Sequence, residues 1–231
     1  IPATTSAAAL NLGKNATGAL LFVATLALSG ALPHTWGLPL GAVGWLAASG
    51  FVGLAVCDTL LLQAFREIGP RRVNVVMVLS PLLVGLLALL PPLVERPALS
   101  IVVGMAVAVS GIVIAVLERP AGGRAGGDVR RGIRYAAVAA VLQAIGIVLT
   151  RIGMQAADVS VLEGATIKLV AGFLGVLLLG LPRTRVRGWL RELAHEGSWR
   201  AVAIAAFLGT FLGIATNQAG ITWSTHVGVA A

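Results

Sequence analysis

Three charged side chains stand inside apolar runs of the sequence, away from the run ends: Lys14, Asp58 and Lys168. A charge held at the centre of a bilayer costs roughly 2.5–3.5 kcal/mol on insertion scales, so such a residue faces a cavity or a partner. Lys14 lies two turns into the first run, and Asp58 lies about two turns before the second run ends at Phe65. At a rise of about 1.5 Å per residue, both sit roughly 10–12 Å from the same membrane face and can pair. A purely structural pair, or a snorkelling lysine, is the alternative to a binding role. Lys168 has no acid at matching depth, but Thr216, Asn217 and Gln218 do lie there. A cation beside amides facing a cavity suits a carboxylate or another anionic group. Asp58 is also a candidate proton carrier, and Gln143 is a lone amide within a span. The candidate substrate-contacting set is therefore Lys14, Asp58, Lys168, Gln143, Asn217 and Gln218.

The elements that must carry these residues are membrane helices. Apolar residues make up 58% of the 231-residue chain and charged residues 11%, against roughly 45–50% and 25% in soluble domains. Residues 73–94 and 97–117 carry no charge at all, and each run is long enough to cross about 30 Å of hydrocarbon as a helix. No alternating pattern suggests a barrel. The fold class expected is an all-α integral membrane protein. Its spans lie near Ala8–Leu28, Val43–Phe65, Val73–Leu93, Leu99–Leu117, Tyr135–Gly153, Ser160–Leu181 and Ala201–Ile221.

The stretch Arg66 to Arg72, with Gly69 and Pro70, reads as a charged hinge between the second and third spans. Residues 119–131, with four glycines between Gly122 and Gly127, read as a flexible cytoplasmic linker that divides the chain into halves 1–118 and 132–231. The connector after Leu181 reads as a surface helix, with Trp189, Leu190 and Leu193 toward lipid and Arg187, Arg191, Glu192 and Glu196 toward water. Trp36, Trp45, Trp189 and Trp199 suit an interfacial belt. Arg151 and Glu163, near span ends, are expected at the interface. Gly209 and Gly213, four residues apart, are expected to let helices pack closely. Asn15 matches a glycosylation acceptor but falls within a span.

A net charge of +8 is compatible with nucleic-acid binding, but thirteen of the fifteen arginines fall in alternate connectors. That distribution places the arginine-rich connectors in the cytoplasm and predicts a multi-pass protein of the inner membrane, in contact with lipid rather than nucleic acid. Cys57 is the only cysteine, and His34, His195 and His226 lack ligand spacing, so neither a disulfide nor a metal or other cofactor is expected. No nucleotide-binding motif is present, and no cluster of Ser, His and Asp in the spans suggests an intramembrane enzyme. A structural or sensory membrane protein is the other alternative.

The chain also repeats. Lys14-Asn15-Ala16-Thr17-Gly18 falls on Lys168-Leu169-Val170-Ala171-Gly172, and Phe51-Val52-Gly53 on Phe207-Leu208-Gly209. The connectors after Leu28 and Leu181 are equivalent, yet one is neutral and the other arginine-rich, which predicts an inverted repeat with a site at the mid-membrane interface. Asp58 then corresponds to Ile214, so the halves are chemically unequal. Completing both halves implies five spans each, of which seven whole ones are present; with no methionine before Ile1, the chain reads as a fragment.

In order and spacing the sequence resembles the EamA-type transporters of the drug/metabolite transporter superfamily. The resemblance rests on Gly53, Asp58-Thr59-Leu60, Ala64-Phe65, Ile68-Gly69, Leu79-Ser80-Pro81, Glu95-Arg96, Gly104 and Ser110-Gly111 in the first half. In the second it rests on Gln143-Ala144, Arg151, Gly209-Thr210 with Gly213, and Gly228-Val229-Ala230-Ala231. Cys57 stands where a small glycine is usual and Gln63 where an aromatic is common. The resemblance implies ten helices in two inverted halves around a central cavity, and export of small metabolites or drugs. The partners expected are a small-molecule substrate and the lipid bilayer, with a proton or counter-solute for coupling and a second copy in a homodimer left open.

Overall fold

In the computed structural model, which describes residues 5–94, 99–117, 127–181, 185–195 and 199–223, the elements are all helical. They run α1 (Ala7–Leu28), α2 (Leu32–Trp36), α3 (Leu40–Gly50), a π-helical turn (Phe51–Cys57), α4 (Asp58–Met77), α5 (Leu79–Ala88) and α6 (Leu99–Leu117). After the linker come α7 (Val129–Gln155), α8 (Val161–Gly180), α9 (Arg185–His195), α10 (Trp199–Ala205), a second π-helical turn (Ala206–Leu212) and α11 (Gly213–Trp223). Linker residues 118–126, Glu95-Arg96, His226 and the closing Gly228–Ala231 lie outside the described residues.

Among the described residues, four helical stretches are long and apolar enough to cross a membrane: Leu40–Met77, Val129–Gln155, Val161–Gly180 and Val202–Trp223. Of the seven expected spans, α1 has the length, at 22 residues, but Asn11, Lys14 and Asn15 dilute its apolar character. Exposed side chains such as Leu20, Val107, Leu178, Ile204 and Leu208 leave apolar faces outward, the arrangement lipid requires.

The hinge forms where backbone chemistry demands it. Gly69 takes φ 76°, ψ 159° inside α4, a conformation glycine adopts without steric cost, and Pro70 follows at the start of a new helical segment, where its missing N–H costs nothing. Glu67 accepts from the Asp128 backbone N–H at 3.0 Å and from Gln63 Nε2 at 3.1 Å. Asp128 in turn caps α7, accepting from Arg130 and Arg131 N–H. The hinge acid thus fixes the start of the second half, where Gly132 leaves room for Ile68.

Some element starts recur along the chain at a near-constant offset. The π-helical turns begin 155 residues apart, at Phe51 and Ala206, and α1 and α8 begin 154 apart, at Ala7 and Val161. Serine caps both of these helices, Ser6 accepting from Ala9 N–H and Ser160 from Glu163 N–H. Their connectors cross over. The short α2, which follows α1, brings His34 and Thr35 to Glu163 at the start of α8, while α9, which follows α8, brings Glu192 to the Ser6 N–H at the start of α1. The end of each helix therefore lies beside the start of the other, and the packed pair α1 and α8 runs antiparallel. Close contacts repeat in the same sense: a side chain at Gly18 would press on Thr210, and one at Gly172 would press on Leu54. Phe22, Leu54 and Leu169 share the core between the halves.

Two expectations for the last connector are corrected. Trp189 does not face lipid; it is only 9% exposed and packs with Ala9, Leu12 and Val176, over a space that Gly180 leaves open. Glu192 is not turned wholly to water either, because it takes the capping bond to Ser6. Arg187, Leu190 and Arg191 are exposed as expected, and Leu193 is half-buried against the same cluster. Trp36 and Trp45 are exposed.

Candidate functional site

The first wall of the site is a polar stripe on α1. Asn11, Lys14 and Asn15 lie three and four residues apart, which puts them on one helical face. The π-helical turn opposite, with its wider i→i+5 pattern, releases carbonyls from the ordinary helical ladder. Asn11 Nδ2 donates to the carbonyls of Leu54 at 2.8 Å and Ala55 at 3.2 Å and to Thr59 Oγ1 at 2.9 Å; Asn15 Nδ2 donates to Leu54 O at 3.2 Å. Both asparagines are fully buried. They hold the turn in place, and the turn sets the direction in which Asp58 leaves it. Lys14 Nζ and Asp58 Oδ2 form an ion pair, with side chains 27% and 16% exposed. The depth matching of the two residues in the sequence thus corresponds to a direct contact.

The second wall comes from α7, α8 and α11. Lys168 is only 7% exposed and its Nζ donates to Thr150 Oγ1 at 3.1 Å. Thr150 is itself bonded to Gly146 O at 2.8 Å and lies 3.1 Å from Ser49 Oγ. Helix α3 comes very close here, since a Cβ on Gly50 would collide with the Lys168 carbonyl. Between the walls is a cavity of about 310 Å³, within the size range of small-ligand sites. Five of the six sequence candidates line it: Lys14, Asp58, Gln143, Lys168 and Asn217.

Gln218 does not join them. It is fully buried on the far side of α11, with Nε2 3.1 Å from Met154 Sδ and Oε1 without a partner among the described residues. Adjacent helical residues point about 100° apart, and here that rotation turns Gln218 toward Met154 while Asn217 lines the cavity. Thr216 is exposed and bonds back to Leu212 O and Gly213 O. Gly209 and Gly213 were expected to pack a neighbouring helix, yet a Cβ on either meets nothing within 4 Å, and both line the cavity instead. Their equivalents in the first half include Gly53, which also lines it. Cys57 is fully buried and turns its Sγ to Ala139 O at 3.2 Å, with Gln143 Oε1 at 3.6 Å.

Arg151 and Glu163, expected at the interface, are both buried within the protein. Arg151 is 8% exposed and donates from Nη1 to Ile221 O, which ties α7 to α11. Glu163 is 1% exposed and completes a capping box with Ser160. Its Oε1 also meets His34 Nδ1 at 2.7 Å and Thr35 Oγ1 at 2.9 Å. The hydrogen bond and the charge of Glu163 raise the pKa of His34 above its ordinary value. A group whose folded pKa is raised contributes stability below its unfolded pKa, near 6.5, and loses it as pH rises through the raised value. The melting temperature of the wild type should therefore exceed that of His34→Gln at pH values below about 6.5, with the difference shrinking as pH climbs through the His34 titration. A difference independent of pH would refute the clasp.

Asn11, Asn15, Ser49 and Thr150 were absent from the sequence candidates. Their signal was present only in part: Asn11 and Asn15 bracket Lys14 on one face, whereas nothing local marks Ser49 or Thr150. No protein-family model and no curated protein matches the sequence. Among solved structures, a crystal structure described only as that of a protein shares the fold, with TM-score 0.68 and 22% identity over 98% of this chain and 74% of the other.

Proposed function

We propose that the chain forms the greater part of a secondary transporter, an EamA-type member of the drug/metabolite transporter superfamily. It would carry small organic metabolites or drugs across the inner membrane by alternating access between two inverted repeats of five helices. The observation that carries this reading is a charged cavity enclosed by residues of both halves, with Lys14, Gly53 and Asp58 on one side and Lys168, Gly209 and Gly213 on the other. The antiparallel run of α1 and α8 and the element spacing of 154–155 residues support an inverted repeat. Such an architecture puts its binding site where the repeats meet and exposes it alternately by rocking. The crossed connectors, each gripping the start of the other half's helix, are suited to couple the ends of that motion. Among the described residues the cavity lining offers charge and shape, which suits transport without chemical change of the substrate.

Counterflow by the complete protein in proteoliposomes tests this. A panel of labelled metabolites should contain at least one that exchanges saturably, and Gly213→Leu, which fills open space in the cavity rather than a packed interface, should cut that exchange at least about tenfold while leaving folded yield unchanged. Exchange by Gly213→Leu at the wild-type rate would rule the cavity out as the route.

A further inference from the structure

We infer that the cavity takes a small organic monoanion, with its carboxylate on Lys168 and an apolar body beside it, in preference to a zwitterion or a dianion. The inference rests on the transporter reading and deepens it by naming the substrate class.

The charge balance of the lining carries it. Among the described residues three charged side chains line the cavity, and two of them, Lys14 and Asp58, are already joined as an ion pair. Lys168 remains. Its side chain is buried, its ammonium rests on the neutral hydroxyl of Thr150, and no carboxylate among the described residues lies within ion-pair distance. A buried cation that no carboxylate touches is costly even with Asp58 across the cavity, and a ligand that brings an anionic group into contact lowers that cost. One anionic group satisfies the count.

The same balance disfavours the other classes. The ammonium of a zwitterion needs an acid, and the acid lining the cavity is Asp58; engaging it would strip Lys14 of its partner. A dianion would bring a second negative charge with no second uncompensated cation to meet it. The rest of the lining is divided between Leu54, Ile147 and Ile214 and the neutral donors and acceptors of Gln143, Thr210 and Asn217. That surface suits an apolar body with a neutral polar substituent. A volume of about 310 Å³ corresponds to roughly ten water-sized groups, and Gly209 and Gly213 keep it open.

The test is calorimetric titration of the complete protein, purified in detergent and in chloride-free buffer, with benzoate, benzamide, the zwitterion para-(aminomethyl)benzoate and the dianion terephthalate. Benzoate should bind at least about tenfold tighter than the other three. Lys168→Met should abolish that preference and Lys168→Arg retain it. Asp58→Asn, which leaves Lys14 without its carboxylate, should shift the preference toward terephthalate. The inference is overturned if benzoate binds no tighter than benzamide, if the zwitterion binds tighter, or if the preference survives Lys168→Met. The wild-type series decides alone should a variant not fold. Counterflow of labelled benzoate separates the two ideas: binding without exchange sinks transport and leaves the anion site, whereas exchange of the zwitterion but not of benzoate sinks the anion site and leaves transport.

Discussion

Gly50→Ala is expected to be the most damaging glycine-to-alanine change among the described residues, lowering stability by about 3 kcal/mol or more and reducing folded yield. The added Cβ would overlap the carbonyl oxygen, carbonyl carbon and Cα of Lys168. The obstacle is backbone, which cannot rotate away as a side chain can, so α3 and α8 must separate. Membrane helices associate through such close approaches of small residues, because lipid offers no hydrophobic drive to bring them together. Separation would also pull Ser49 of α3 from Thr150, the hydroxyl that the Lys168 ammonium bonds. Gly44→Ala provides the control: it lies in the same helix, and a Cβ there meets nothing within 4 Å. Thermal melting in detergent should show a large loss for Gly50→Ala and little change for Gly44→Ala. Equal, small effects would mean that α3 and α8 do not meet as described.

The second large effect concerns the ion pair. Lys14→Met should destabilise the protein by about 2–4 kcal/mol, because it strands Asp58 in a mostly buried site without its cation. Asp58→Leu should cost a comparable amount for the mirror reason, reduced by the ability of the lysine to snorkel. The double variant should recover much of the loss, giving a coupling energy of about 1–3 kcal/mol in a double-mutant cycle. Additive losses would show that the two charges are screened independently and do not form the first wall of the cavity.

Much of this was legible in the sequence because span ends and charge depth are local or one-dimensional properties. The run Ala8–Leu28 corresponds to α1 at Ala7–Leu28, and Leu99–Leu117 to α6 at the same residues. Counting residues from a span end to Lys14 and to Asp58 sufficed to bring the two together. What was not legible depends on rotation about a helix axis and on which neighbour arrives there. Asn217 and Gln218 are adjacent in sequence but face a cavity and a core. Trp189 reads as a lipid-facing residue until Gly180 is known to lie beneath it. Glycines spaced by four suggest a packed crossing, yet Gly209 and Gly213 border open space, while the crossing occurs at Gly50, where no such motif exists. The π-helical turns carry no compositional signature either; the buried asparagines that complement the first of them were the only hint. The proposed repeat, weak in residue identity, draws more support from element spacing, since the serine caps and the π-helical turns recur at a near-constant offset where side chains differ.

That divergence also shapes the site. In the proposed repeat Lys14 and Lys168 occupy equivalent positions, but Asp58 answers the first and Ile214 stands where an acid would answer the second. One half neutralises its own lysine and the other does not. The excess charge at the centre of the proposed route arises from this single inequality between the copies.

The central claim, that both sides of the membrane reach this cavity in turn, is tested most directly by cysteine accessibility. With the buried Cys57 replaced by serine, Gly213→Cys would place one thiol in the cavity of the complete protein. Membrane-impermeant maleimide applied to sealed vesicles of right-side-out and inside-out orientation should label that thiol from both sides, each reaction slowed by saturating substrate. Labelling from one side alone, unchanged by any transported solute, would contradict alternating access through this cavity.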